Sequence, residues 1–152
     1  MAYEFRVQGR IAKPVHDVFE AVADPSQLSG YFTTGGAKGR LATGATVTWD
    51  FHDFPGAFPV HVVEVVPDAK IVLRWGAAPD DDPAGQYETT VTMTFEQLDD
   101  GRTLVTIHEA GWRENAKALK ASFGNCEGWT GMLCAMKVFV EHGINLRADF
   151  YR

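Results

Sequence analysis

Between Thr46 and Glu109 the chain repeats one device: a short run in which apolar and polar side chains alternate, closed by turn residues. Val47, Trp49 and Phe51 alternate with Thr46, Thr48 and Asp50, and Tyr87, Thr89, Val91, Met93 and Phe95 alternate with Glu88, Thr90, Thr92, Thr94 and Glu96. A period of two is that of a strand with one face buried. The pattern predicts strands over 46–51, 60–66, 70–75, 87–97 and 103–109. Pro67-Asp68 and Asp99-Asp100-Gly101 are turns too short for a crossover, so the strands they join must run antiparallel.

A meander with one apolar face needs a cover, and the helical signals lie at the two ends of the chain. Tyr3 to Ala12 is a further strand, broken by Lys13-Pro14. Val15, Val18, Phe19 and Val22 then give a short amphipathic helix ending near Asp24-Pro25, and Pro25 to Leu28 can start a second. Thr33 to Gly44, rich in glycine, reads as loop or weak strand. Trp129, Met132, Leu133, Met136, Phe139 and Val140 form an apolar helical stripe about three turns long, with Gly143 as its stop. The expected fold class is α+β: a curved antiparallel sheet around a long C-terminal helix, with one or two short helices after the first strand.

One helix laid over a wide twisted sheet touches its centre and diverges from its ends, leaving a cleft for bulky side chains or a ligand. The residues expected to line it are Trp49, Phe51, Trp75, Val91, Met93, Trp112, Trp129, Leu133 and Met136. Strand parity puts two polar groups on the same face, His61 with Val63 and Val65, and Glu109 with Val105 and Ile107. These would anchor a ligand or, with Tyr87 as a third candidate, act as general acid and base on a bound carbonyl compound. One extra residue in either strand reverses its assignment. His52 and His108 fall on the outer face, and His16 and His142 on helix surfaces.

Other chemistries lack their residues. At 152 residues the chain fits one domain spanning 1–152. Its net charge of −6, from 14 Lys+Arg against 20 Asp+Glu, argues against a nucleic-acid partner. No apolar run approaches the roughly 18 residues of a membrane span, and the strand-like start is unlike a secretory leader, so a cytoplasmic location is expected. Cys126 and Cys134 lie about 12 Å apart along a helix, which predicts two unpaired thiols. No metal-ligand spacing is present and no cofactor is expected. Gly35 to Arg40 lacks the ending of a phosphate loop, none of Ser26, Ser29 and Ser122 sits in a nucleophile elbow, and Asp80-Asp81-Asp82 reads as a solvated loop.

Ile11, Pro14, Val18-Phe19, Asp24-Pro25, Leu28 and Tyr31-Phe32 resemble the opening of START-like (SRPBCC) domains, in particular those related to the C-terminal domain of the activator of the heat-shock-protein-90 ATPase. Val65-Val66-Pro67, Ile71 to Trp75, Thr90 to Glu96, Val105 to Trp112, and Gly128-Trp129 with Leu133 and Lys137 resemble later signatures of that family, in the same order. The resemblance implies a helix-grip fold with a cavity between sheet and helix, used by different members for lipids, hormones, polyketides or other hydrophobic molecules. It does not imply one activity, since some members are cyclases or aromatases and others carriers or sensors. Nor does it imply the co-chaperone role, because nothing here matches the activator's N-terminal domain. The expectation is a carrier or sensor of a small hydrophobic molecule. The alternatives are a cyclase or hydro-lyase in the same cavity and a stress-related protein-interaction domain with a filled core.

Overall fold

The structure, a computed structural model, describes residues 2–152. Seven strands form one antiparallel sheet in the order β1-β7-β6-β5-β4-β3-β2. They are β1 (Tyr3–Ile11), β2 (Gly36–Lys38), β3 (Thr46–Phe51), β4 (Phe54–Val66), β5 (Lys70–Gly76), β6 (Glu88–Gln97) and β7 (Thr103–Trp112). Two short helices, α1 (Val15–Ala23) and α2 (Pro25–Leu28), follow β1, and α3 (Ala116–His142) closes the chain's regular structure. The expected helix-grip arrangement is what is seen. Among the described residues, no helix is long and apolar enough to cross a membrane.

Three elements outrun the sequence pattern by three residues or more. β4 begins at Phe54, six residues before its alternation becomes visible, because Pro55, Gly56 and Pro59 mask the strand. β7 runs on past Glu109 to Trp112. α3 spans 27 residues rather than three turns. Its first half carries Gly124 and Gly128, which lower helix propensity, and little apolar surface, so its start is marked instead by a cap: Asn115 accepts a hydrogen bond from Ala118 N–H at 2.9 Å. Its end is as expected, with Gly143 in the left-handed region at φ 71°.

The centre of the grip is solid. Ile71, Leu73, Val91, Met93, Val105 and Ile107 from the sheet meet Met132, Leu133 and Met136 from α3, all buried. Val91, Met93, Leu133 and Met136, expected to line a cavity, are core instead, because side chains fill the space where helix and sheet are closest. After Gly143 the chain doubles back along α3 as a tail. Arg147 in that tail is 8% exposed and makes a two-pronged ion pair with Asp53, which is 4% exposed: Nε to Oδ2 at 2.9 Å and Nη2 to Oδ1 at 3.0 Å. Asp53 sits in the tight turn between β3 and β4, so the pair clamps the tail to that hairpin. The tail also packs against α3 at Gly131, where a β-carbon would collide with the Tyr151 hydroxyl.

Candidate functional site

The cleft opens at one end of the sheet, where the first half of α3 diverges from β3, β4 and β5. It has a volume of about 430 Å³ and is walled by Phe32, Phe51, Phe54, Trp75, Trp129 and Tyr151, with Asn125, Glu127 and Arg147 as its polar lining. Phe32, Phe51, Phe58, Trp75 and Trp129 form a closed run of ring contacts, and Phe54 pairs with Tyr151 beside it. Trp75 lies 5.3 Å from Trp129 and 5.9 Å from Phe58, and Phe32 lies 5.3 Å from Trp129 and 5.0 Å from Phe51. Such spacings are those of offset and edge contacts, which fix ring orientation as well as bury area. Trp49 backs this wall, 6.0 Å from Trp75 and 1% exposed, with its indole N–H unpartnered.

Immediately behind the wall lies Glu109, fully buried. Its Oε1 accepts from Trp129 Nε1 at 2.9 Å and Asn125 Nδ2 at 3.1 Å. Its Oε2 accepts from Thr89 Oγ1 at 2.6 Å, Trp75 Nε1 at 2.9 Å and Asn125 Nδ2 at 3.2 Å. The register explains the convergence. Trp75 on β5 pairs with Thr89 on β6, whose neighbour Val91 pairs with Glu109 on β7, and Asn125 and Trp129 are one turn apart on α3. One carboxylate therefore ties three strands to the helix. A buried carboxylate is costly unless its acceptor sites are met, and here four side chains meet them without any cation.

Of the residues expected on sequence grounds, Phe51, Trp75 and Trp129 line the cleft and Glu109 lies directly beneath it. His61 does not join them. A bulge between Val62 and Glu64 leaves Val63 as an extra residue, so parity counted back from Val65 puts His61 on the wrong face. Val60 and Val62 are the buried residues, and His61 faces outward between Thr46 Oγ1 at 3.1 Å and Glu88 at 3.4 Å. Tyr87 falls just before β6, under the Arg113 guanidinium at 4.2 Å, in a separate pocket against the start of α3. Trp112 is buried beyond a register shift at the far end of β7, where its indole N–H has no partner among the described residues. His61, Tyr87 and Glu109 are thus not brought to one place.

The sequence reading missed Phe32, Phe54, Asn125, Arg147 and Tyr151. Only Asn125 carried a signal, since it precedes Trp129 by four residues and so shares its helix face. Burial pushes the Tyr151 phenol upward from its usual range. A second groove of about 480 Å³ lies between the outer side of α3 and the tail, lined by Phe123, Leu146 and Phe150 among others. Cys126 and Cys134 on that side are both free thiols, half-buried and exposed respectively.

Known structures share this architecture over nearly the whole chain. A protein from Staphylococcus saprophyticus is 26% identical, with a TM-score of 0.78 over 95% of this chain and 96% of its own. DynU16, from the dynemicin biosynthetic locus, is 25% identical with a TM-score of 0.74, covering 92% of this chain and 48% of its own. The Aha1 dimer from Colwellia psychrerythraea, 16% identical, has a TM-score of 0.72 over 93% of this chain and 98% of its own. No curated protein sequence gives a significant match. The sequence profile described as activator of Hsp90 ATPase homolog 1-like protein matches residues 12–141, the span from the end of β1 to the end of α3. The chain belongs to the activator of Hsp90 ATPase homolog 1-like family.

Proposed function

We propose that the chain holds a small, planar, apolar molecule in the cleft between Trp75, Trp129 and the tail, as a carrier or sensor. The observation that carries this reading is an aromatic cleft whose two indoles are fixed from behind by a carboxylate with no acceptor site to spare. Rigid aromatic walls bind planar ligands at little entropic cost. A saturated Glu109 serves as a scaffold, and a proton-transfer role would require it to shed partners first. With His61 on the opposite face of the sheet, acid–base catalysis lacks its pair, which places binding ahead of a cyclase-type reaction. The shared fold of DynU16, a protein from a biosynthetic locus, supports a ligand drawn from small-molecule chemistry.

Native mass spectrometry of freshly purified protein should reveal a bound small molecule, or retention of an added naphthalene. Phe54 is the informative residue to vary, because it lines the cleft yet is 45% exposed. Phe54→Ala should leave the melting temperature nearly unchanged and weaken binding by about tenfold, the effect of losing a contact worth roughly 1.4 kcal/mol. Unchanged affinity in that variant, or no binding to the wild type, would remove the cleft as the site.

A further inference from the structure

We propose that the cleft selects an uncharged planar molecule bearing a hydrogen-bond donor, such as a phenol or an N–H heterocycle, and that Asn125 Oδ1 is the acceptor that reads it. This rests on the reading of the cleft as a binding site.

The Asn125 amide is oriented by chemistry. Its Nδ2 lies 3.1 and 3.2 Å from the two oxygens of Glu109, and a carboxylate only accepts, so the amide oxygen cannot take that place. The oxygen is the end of the amide left over by that contact, on a residue that lines the cleft, and no side chain or backbone group among the described residues donates to it. An ordinary surface asparagine can present either end. This one presents its acceptor.

The other polar groups at the cleft sharpen the choice. The indole N–H groups of Trp75 and Trp129 are both committed to Glu109. The charge of Arg147 is neutralised by Asp53, and its guanidinium lies 4.6 Å from the Phe51 ring centre and 5.1 Å from that of Tyr151. Glu127 adds a carboxylate at the rim. A ligand carboxylate would meet Asn125 Oδ1 and Glu127 with no free positive charge to offset them, whereas a hydroxyl or N–H would find its complement. Discrimination by an unmatched polar group is stronger than discrimination by shape alone.

The test compares 2-naphthol with 2-methoxynaphthalene, which share the ring system and differ in the donor, by isothermal titration calorimetry at pH 7. The wild type should bind the naphthol about three to ten times more tightly, the range of one neutral hydrogen bond. Asn125→Leu should bind both alike. In the wild type at saturation, the Asn125 side-chain amide resonances should shift further with the naphthol than with the methyl ether, beyond the ring-current shift that both compounds share, which decides the matter even if the leucine variant folds poorly. Equal affinities for both compounds in the wild type, or a preference that survives Asn125→Leu, overturns the inference and leaves the cleft reading intact. Tighter binding of the methyl ether also overturns it, pointing to Arg147 as the polar contact. Failure of both compounds to bind overturns both readings together.

Discussion

Glu109→Leu is expected to lower the unfolding free energy by roughly 3–5 kcal/mol, at the upper end of what single substitutions cost. The leucine fills the volume and leaves the indole N–H groups of Trp75 and Trp129, the Asn125 amide and the Thr89 hydroxyl without an acceptor in the core. Each stranded donor costs about 1–3 kcal/mol, and some relief comes as the helix shifts and water enters by the cleft. Replacing a buried ion pair with apolar residues is often harmless because both partners go together, whereas here only the acceptor goes and the donors stay. Glu109→Gln should cost less, about 1–3 kcal/mol, since one carbonyl oxygen remains and the Thr89 hydroxyl can turn to accept from the new amide. Urea unfolding, with the midpoint shifted at constant slope, measures both. Equal stability of the leucine variant and the wild type would show that the carboxylate does not hold helix to sheet.

Arg147→Leu is expected to cost roughly 3–5 kcal/mol if the tail stays seated, because it strands the wholly buried carboxylate of Asp53. The tail offers an escape. It follows the αL cap at Gly143 and can lift as a unit, returning Asp53 to water and caving in the Tyr151 wall of the cleft. The variant should therefore expose residues 144–152 to limited proteolysis and lose affinity for a naphthalene probe. Asp53→Leu with Arg147→Leu should recover a large part of the lost stability, since neither charge is then left buried alone. A double variant less stable than either single one would mean that the pair itself, and not the avoidance of a stranded charge, holds the tail.

The sheet could be read from the sequence wherever alternation ran unbroken. β3 and β6 show their buried faces directly, and the interior place of Glu109 follows because β7 is regular from Thr103 to Ala110. The same rule misplaced His61, since the bulge at Val63 changes parity without changing composition: valines stand on both sides of it. The helical stripe from Trp129 was legible, and the first half of α3 was not, because glycines and polar residues there face the cleft and leave no apolar period. Aromatic residues of the sheet could be expected at the cleft, but its depth could not, since whether Met93 and Met136 line a void or fill it depends on how closely α3 approaches. Asn125 and Arg147 carry their roles only through tertiary partners, Glu109 and Asp53, far away in sequence. A polar side chain's partner leaves no periodic trace.

The claim that the aromatic cleft is the binding site is tested most directly by mapping 2-naphthol onto the protein by NMR. The indole N–H resonances of Trp75 and Trp129 and the side-chain amide of Asn125 should move together and saturate, while the indole of Trp112, buried elsewhere, stays in place. Shifts confined to Phe123, Leu146 and Phe150 in the outer groove, or none up to the solubility limit of the probe, would contradict it.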